Sequence, residues 1–345
     1  MTLVADFQRS SFQSLLKLPP SLKSALFGAP KCAPEGYAMD LDMHMLLSLS
    51  NVFHQADWPT LGPQKARAMM DDQGAVISRP VPTHISFHDE VLRLPGRVIR
   101  ARVYRDKSLS GPLPIIVYYH GGGYVFGSLR SHHNECAHLA DLTRSVVVAV
   151  DYRLSPEHAF PAAPDDGLAS YLWVHERAAS FGGDPARMAV AGDSAGGNLS
   201  TVICLDLKGD PRMPIFQCLI YPPTDFTRST PSHEYFRDGF FLTRRSIDWF
   251  FDQYMPLGNL THPRASPQFA ESHKGLPPAL IVTAGFDPLR DEAKVYADTL
   301  SAAGVTVTYK CFEGLFHGFF SMSMIPAAHD AFVYIADALR DALAA

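Results

Sequence analysis

The chain has 345 residues, 47% of them hydrophobic and 19% charged, fewer charges than the roughly 25% usual for globular proteins, so it can bury a large core and is not a disordered segment. Its net charge of −5, with no run of Lys or Arg longer than a pair, excludes the basic stripe that nucleic-acid binding needs and points to a small or neutral partner. Five scattered cysteines without a CxxC pair, Cys32, Cys136, Cys204, Cys218 and Cys311, read as reduced, packed thiols.

Residues 1–75 read as helical pieces broken by Pro and Gly, with Met-rich and Leu-rich runs such as MHMLLSLSNVF, and we expect them to form the N-terminal part of a helical cap. The first thirty residues carry Arg9, Lys17 and a Pro pair where a signal peptide would be continuously apolar. No stretch reaches the length of a membrane span, so a cytoplasmic protein without an integral membrane segment is expected, although this segment is able to lie on a lipid surface.

From Ile85 the pattern changes. ISFHDEVLRLPGRVIRARVYR (85–105) alternates apolar and polar residues on both sides of a Pro-Gly turn, which predicts an antiparallel hairpin. Short apolar runs then recur between helical stretches: IIVYY (115–119), SVVVAV (145–150), MAVAG (188–192), FQCLIY (216–221), ALIVTAG (279–285) and VTVTYKC (305–311). Runs of that length without alternation suit strands covered on both faces, hence a mostly parallel α/β sheet with its active site at the carboxyl ends of the strands. The rhythm breaks between Asp225 and Pro263, where FFLTRRSIDWFFDQYM has helical spacing. We therefore expect an α/β core over 76–225 and 263–345, with 226–262 inserted to join the cap.

The chemistry concentrates in four places. Gly192-Asp193-Ser194-Ala195-Gly196 matches G-x-S-x-G between a strand and a helix, the setting in which a strained turn exposes a serine hydroxyl above the sheet. Alone it favours an ordinary glycine-rich turn. YYHGGGYVFGS (118–128) adds three glycines directly after a strand, whose N–H groups can converge on one point as an acyl-transfer enzyme requires. We assign the oxyanion to the N–H groups of Gly122, Gly123 and Ala195, with Gly121 shaping the turn and His120 organising the loop. A serine needs a histidine base oriented by a carboxylate, and in this fold the chain order is Ser, acid, His. His317, after the strand VTVTYKC, fits the base, whereas His329 lies in a helix-like run and His262 and His273 precede the acid. Asp287, immediately after ALIVTAG, fits the acid better than Asp291, one turn into the next helix, which is left to support the loop; Glu292 is expected to face solvent.

HGGG (120–123), GDSAGG (192–197), DYRLSPEHAFPAAPDD (151–166), DPLRDE (287–292) and HGF (317–319) together resemble the hormone-sensitive-lipase family of α/β-hydrolases, which includes bacterial esterases. The resemblance covers about residues 100–320. It implies an eight-stranded, mostly parallel sheet and a cap made of an N-terminal segment plus an insertion after the sixth strand. It also implies a Ser194, Asp287, His317 triad, an oxyanion hole of Gly122, Gly123 and Ala195, and dimerisation through the last strand as a possible homodimer.

The other stretches read as scaffold. Arg153, Glu157 and Asp165 suggest a buried network behind the oxyanion loop, and Asp165 with Asp166 makes a poor glycosidase pair. Glu135 and His138 have i, i+3 spacing that a metal could use, but no partner set accompanies them, so an exposed polar helix face is expected. Tyr124, Phe240, Phe241 and Trp249 either line a narrow acyl pocket or, for the cap aromatics, pack within the cap itself. The expected function is a serine carboxylic-ester hydrolase acting through an acyl-enzyme on short- to medium-chain esters, without metal or cofactor. Amide, lactone or carbamate hydrolysis with the same triad is the alternative, and a ligand-binding receptor on the same fold is disfavoured by His317.

Overall fold

The computed structural model describes residues 3–52, 58–256 and 258–344; the end of the Leu-rich run at Phe53 lies outside the described residues. The first 77 positions hold α1 (Leu3–Leu16), α2 (Pro20–Phe27), α3 (Leu41–Val52), α4 (Trp58–Leu61) and α5 (Pro63–Ile77). Prolines start α2 and α5, where a missing N–H costs nothing, and Gly28 at φ 86° ends α2.

The hairpin follows as β1 (Ile85–Leu94) and β2 (Arg97–Asp106), paired antiparallel around Pro95-Gly96. The six apolar runs become β3 (Leu113–Tyr119), β4 (Val146–Asp151), β5 (Gly183–Asp193), β6 (Phe216–Ile220), β7 (Ala279–Phe286) and β8 (Val307–Phe316). Together they form one eight-stranded sheet in the order β1-β2-β4-β3-β5-β6-β7-β8. β2 joins β4 antiparallel, and the six strands from β4 to β8 are mutually parallel.

Both faces are covered, which is why these strands lack alternation. Ile116 and Tyr118 pack on one face with α6 (His133–Thr143) and the C-terminal α12 (Pro326–Ala344). Ile115, Val117 and Tyr119 pack on the other with α7 (Ala162–Arg177), α8 (Ala195–Asp206) and α11 (Arg290–Ala302). Between β6 and β7 stand the short α9 (Ser232–Tyr235) and α10 (Arg244–Tyr254). α10 buries Ser246, Ile247, Phe250 and Tyr254, one helical face, and a third apolar cluster joins Ile247 and Phe250 to Trp58 of α4 and Phe126. The insertion and the N-terminal helices thus meet over the carboxyl ends of the strands. No described helix is long and apolar enough to cross a membrane. All five thiols are unpaired, and Cys32 is exposed where a packed thiol was expected, because it lies in the extended segment before α3 and outside the core.

Candidate active site

β5 ends at Asp193 and α8 starts at Ala195, so Ser194 alone makes the turn, with φ 52° and ψ −119°. A residue with a Cβ held there stores about 1–3 kcal/mol of strain. The backbone on either side holds it: the Ser194 N–H donates to Ile220 O at 2.8 Å, and Asn198 N–H donates to Ser194 O at 3.1 Å. Close approach explains the flanking glycines, since a Cβ at Gly192 would overlap the Gly196 backbone and one at Gly196 would overlap the Tyr119 carbonyl. The Ser194 hydroxyl is left half-buried at the floor of a cavity, over the N-terminus of α8.

Asp287 and His317 are the first residues after β7 and β8. The parallel sheet delivers both to the same edge as Ser194. The His317 Nδ1–H donates to Asp287 Oδ2 at 2.8 Å, and His317 Nε2 lies 3.0 Å from Ser194 Oγ. With Nδ1 carrying the proton toward the carboxylate, Nε2 presents its lone pair to the serine O–H. Asp287 is fully buried, and its second oxygen accepts the Leu289 N–H at 2.8 Å. Such a chain can withdraw a proton from Ser194 and return it to a leaving group.

Asp291, expected to support the loop around His317, instead holds the start of α9, accepting the Ser232 N–H at 2.9 Å, and pairs with Arg290 at 2.7 Å. Glu292 corrects the expectation of a solvent-facing side chain. It is buried, accepts the N–H groups of Thr224 at 2.7 Å and Asp225 at 3.2 Å, and pairs with His233 at 2.7 Å. Burial pushes the Glu292 pKa up, although His233 and the two N–H groups pull the other way. Nothing within residues 287–292 reveals this, because His233 comes from α9 in the insertion.

After β3, Gly122 and Gly123 adopt φ 115° and 58°. A Cβ on Gly122 would overlap the Phe126 carbonyl, and one on Gly123 the Phe250 ring. Gly122 O accepts from Val125 and Phe126 N–H, each at 3.0 Å, closing the turn. Among the described residues no acceptor takes the N–H of Gly122, Gly123 or Ala195. His120 donates from Nδ1 to Gly121 O at 2.8 Å and stacks on Tyr152, whose hydroxyl donates to His120 O at 2.7 Å. Burial, reinforced by nearby His132, drops the His120 pKa to about 3, so this imidazole is neutral.

The cavity above Ser194 measures about 150 Å³, and its walls include Trp58, Tyr124, Phe241, Leu242, Phe250 and Leu289. A second cavity of about 180 Å³, reaching Leu46 and Gln8, shares Ile77, Phe241 and Met322 with the first. Of the four proposed pocket aromatics, Tyr124 and Phe241 line the cavity. Tyr124 lies flat against Tyr254, ring centroids 3.7 Å apart. Phe240 instead packs on Phe236 and Phe286, and Trp249 on Phe250. Consecutive positions at 240–241 point apart, and Trp249 is displaced around α10 from the buried face led by Phe250.

The scaffold network also differs. Asp166, not Asp165, is the buried acid: it takes Arg153 at 2.8 Å and pairs with Arg97 of β2. Asp165 pairs with Arg264 at 2.8 Å, and Glu157 with Arg67 of α5 at 2.6 Å. Glu135 is buried rather than on an exposed polar face, joined to Ser78, while His138 bonds to Pro80 O at 3.0 Å. Chain entering from the N-terminal helices covers that side of α6. Sequence reasoning passed over His132, which sits beside Asp193 at 3.4 Å.

A family model described as the alpha/beta hydrolase fold matches residues 116–321. The carboxylic ester hydrolase LipN of Mycobacterium tuberculosis is 39% identical over 88% of this chain and 83% of its own. An ethyl acetate hydrolase of Pseudomonas putida is 36% identical over 82% of this chain and 91% of its own. The solved structure of the ester-hydrolase EH1AB1 from the Lake Arreo metagenome, complexed with a bipyridine phosphonate derivative, superposes with a TM-score of 0.84 at 38% identity, covering 91% of this chain and all of that one.

Proposed function

This chain belongs to the α/β-hydrolase family of hormone-sensitive-lipase-like carboxylesterases and is an ester hydrolase, and on that premise we propose that it works through an acyl-enzyme on Ser194. The observation that carries the reading is the unbroken chain from Ser194 Oγ through His317 to Asp287, at 3.0 and 2.8 Å. Ser194 attacks the ester carbonyl while His317 Nε2 takes its proton. The tetrahedral oxyanion is received by the N–H groups of Gly122, Gly123 and Ala195, and His317 then protonates the departing alcohol. A water deprotonated by the same imidazole adds to the acyl carbonyl, and collapse of that second intermediate frees the acid and restores Ser194. Asp287 keeps the proton on Nδ1 and favours the imidazolium that forms.

The substrate class we infer is short- to medium-chain acyl esters. The compact apolar cavity supports it, as does the ethyl acetate hydrolase among the relatives, and Phe241 with Met322 stands where a longer chain would continue. Turnover of p-nitrophenyl esters of two to twelve carbons, run beside an amide and a lactone, tests this: efficiency is expected to peak below about ten carbons and to be lowest for the amide. Ser194→Ala is expected to lower kcat by on the order of 10⁴–10⁶ with the fold retained, and near-normal turnover in that variant would end the proposal.

A further inference from the structure

The glycine loop after β3 and the serine turn after β5 lie on different strands, and Asp193 bridges them. Its main chain leads directly into Ser194 and Ala195, while its Oδ1 accepts the Gly121 N–H at 2.8 Å and the Tyr118 hydroxyl at 2.6 Å. The fit is close, because the Asp193 carboxylate occupies the space that a Cβ on Gly121 would need. A carboxylate only 5% exposed requires a counter-charge, and His132 Nε2 stands 3.4 Å from Asp193 Oδ1. His132 Nδ1 lies 2.9 Å from Ser131 Oγ. Glu135, on the same turn of chain, is joined to Ser78, which also reaches Ser321 O at 2.8 Å, just beyond His317.

We propose that Asp193 and His132 are positioning residues for the ester-hydrolase reaction, a buried pair that clamps the glycine loop onto the serine turn and so sets the spacing between the Gly122 and Gly123 donors and the Ala195 donor. The proposal rests on Ser194 being the nucleophile. Oxyanion donors act only when held about 2.7–3.1 Å from where charge develops, so a small displacement of one half of the hole lowers kcat more than substrate binding.

The charge states follow from the surroundings. Burial by itself would raise the Asp193 pKa, but His132, the Tyr118 hydroxyl and the Gly121 N–H outweigh it and hold the group at about 2. For His132, burial pulls downward and is outweighed by Asp193, with Glu135 and Asp71 adding to it, so its pKa is raised. His120, which faces it from the end of β3, stays neutral, and burial lifts Glu135 to about 7. The pairing favours the Asp193 carboxylate and, on His132, the protonated ring. Rising pH removes the His132 proton and weakens the clamp.

The test is kcat and KM for a short-chain p-nitrophenyl ester between pH 6 and 9.5, with kcat expressed per site titrated by a reactive phosphonate. Asp193→Asn is expected to lower per-site kcat by about ten- to a hundred-fold with KM within about two-fold. His132→Gln is expected to lower it several-fold and to lack the alkaline decline that the clamp predicts for the unaltered protein. Tyr118→Phe removes one hydrogen bond to Asp193 and is expected to reduce kcat by a smaller factor; it decides the matter if Asp193→Asn does not fold. Unchanged per-site kcat in the folded variants, or the same alkaline decline in His132→Gln, overturns the clamp. Activity surviving Ser194→Ala would remove the nucleophile and the clamp with it, whereas an inactive Ser194→Ala beside a fully active Asp193→Asn would refute the clamp alone.

Discussion

At the scale of single residues, the site depends on one orientation of one imidazole. Asp287 accepts the His317 Nδ1–H on one oxygen and the Leu289 N–H on the other, at 2.8 Å each, so each oxygen is held in place by one hydrogen bond. Asp287→Asn keeps the volume and one acceptor but presents an amide N–H to the ring, which favours the tautomer whose Nε2 cannot take a proton. On the proposed mechanism kcat is expected to fall by about 10³–10⁴ while thermal stability changes little, a split read by comparing turnover with the unfolding midpoint. Local signals are enough to single out Ser194, His317 and Asp287, because each stands directly after an apolar run and the chain order is restrictive. They do not reveal His132, since the role proposed for it comes from Asp193, sixty-one positions along at the end of β5.

At the scale of elements, the insertion reaches the site through both its helices. α9 brings His233 against Glu292 of α11, five residues after Asp287. Glu292→Ala leaves His233 and two backbone N–H groups without their buried acceptor and is expected to cost about 3–5 kcal/mol in a denaturant titration, with Glu292→Gln costing less because its carbonyl oxygen still accepts. The loop before α10 places Phe241 between two cavities, stacked on Phe316. Phe241→Ala joins the cavities, so the ratio of kcat/KM for an eight-carbon over a four-carbon p-nitrophenyl ester is expected to rise at least several-fold; an unchanged ratio would place the acyl chain elsewhere. Helical spacing makes α10 legible, but not which of its aromatics faces the cavity, because that depends on where α4 and Phe126 come to rest.

At the scale of the whole molecule, the buried titratable groups under the site shape stability against pH. His120 is pulled down to about 3 by burial and then by His132, so between its unfolded value near 6.5 and pH 3 the unfolded chain binds the extra proton and stability falls as pH falls. Glu135, lifted to about 7 by burial, has the opposite sign: between about 4.5 and 7 the folded chain holds the extra proton and stability falls as pH rises. The two oppose each other between about pH 4.5 and 6.5. Below that range His120 is unopposed, and Asp193, held at about 2, adds to the loss below its unfolded value near 3.8. Unfolding free energies from denaturant titrations are expected to be nearly flat from pH 6.5 to 4.5 in these groups' contribution and to drop below it at up to ~1.4 kcal/mol per pH unit for each group. A His120→Gln variant should show a shallower acid limb.

The sequence by itself determines the α/β class, the hairpin that opens the sheet, the six parallel strands and the turns that carry Ser194, Asp287 and His317, because each is written in local periodicity or in glycine spacing that only a tight turn requires. The tertiary structure decides the rest. Whether Glu292 and Glu135 meet solvent, whether Asp165 or Asp166 is the buried acid, and which cap aromatics reach the cavity all depend on what another segment lays over them. Asp193 shows the division most plainly: its neighbours in the chain place it beside Ser194, but its partners Gly121, Tyr118 and His132 arrive only when β3 and the turn before α6 come to lie beside the end of β5.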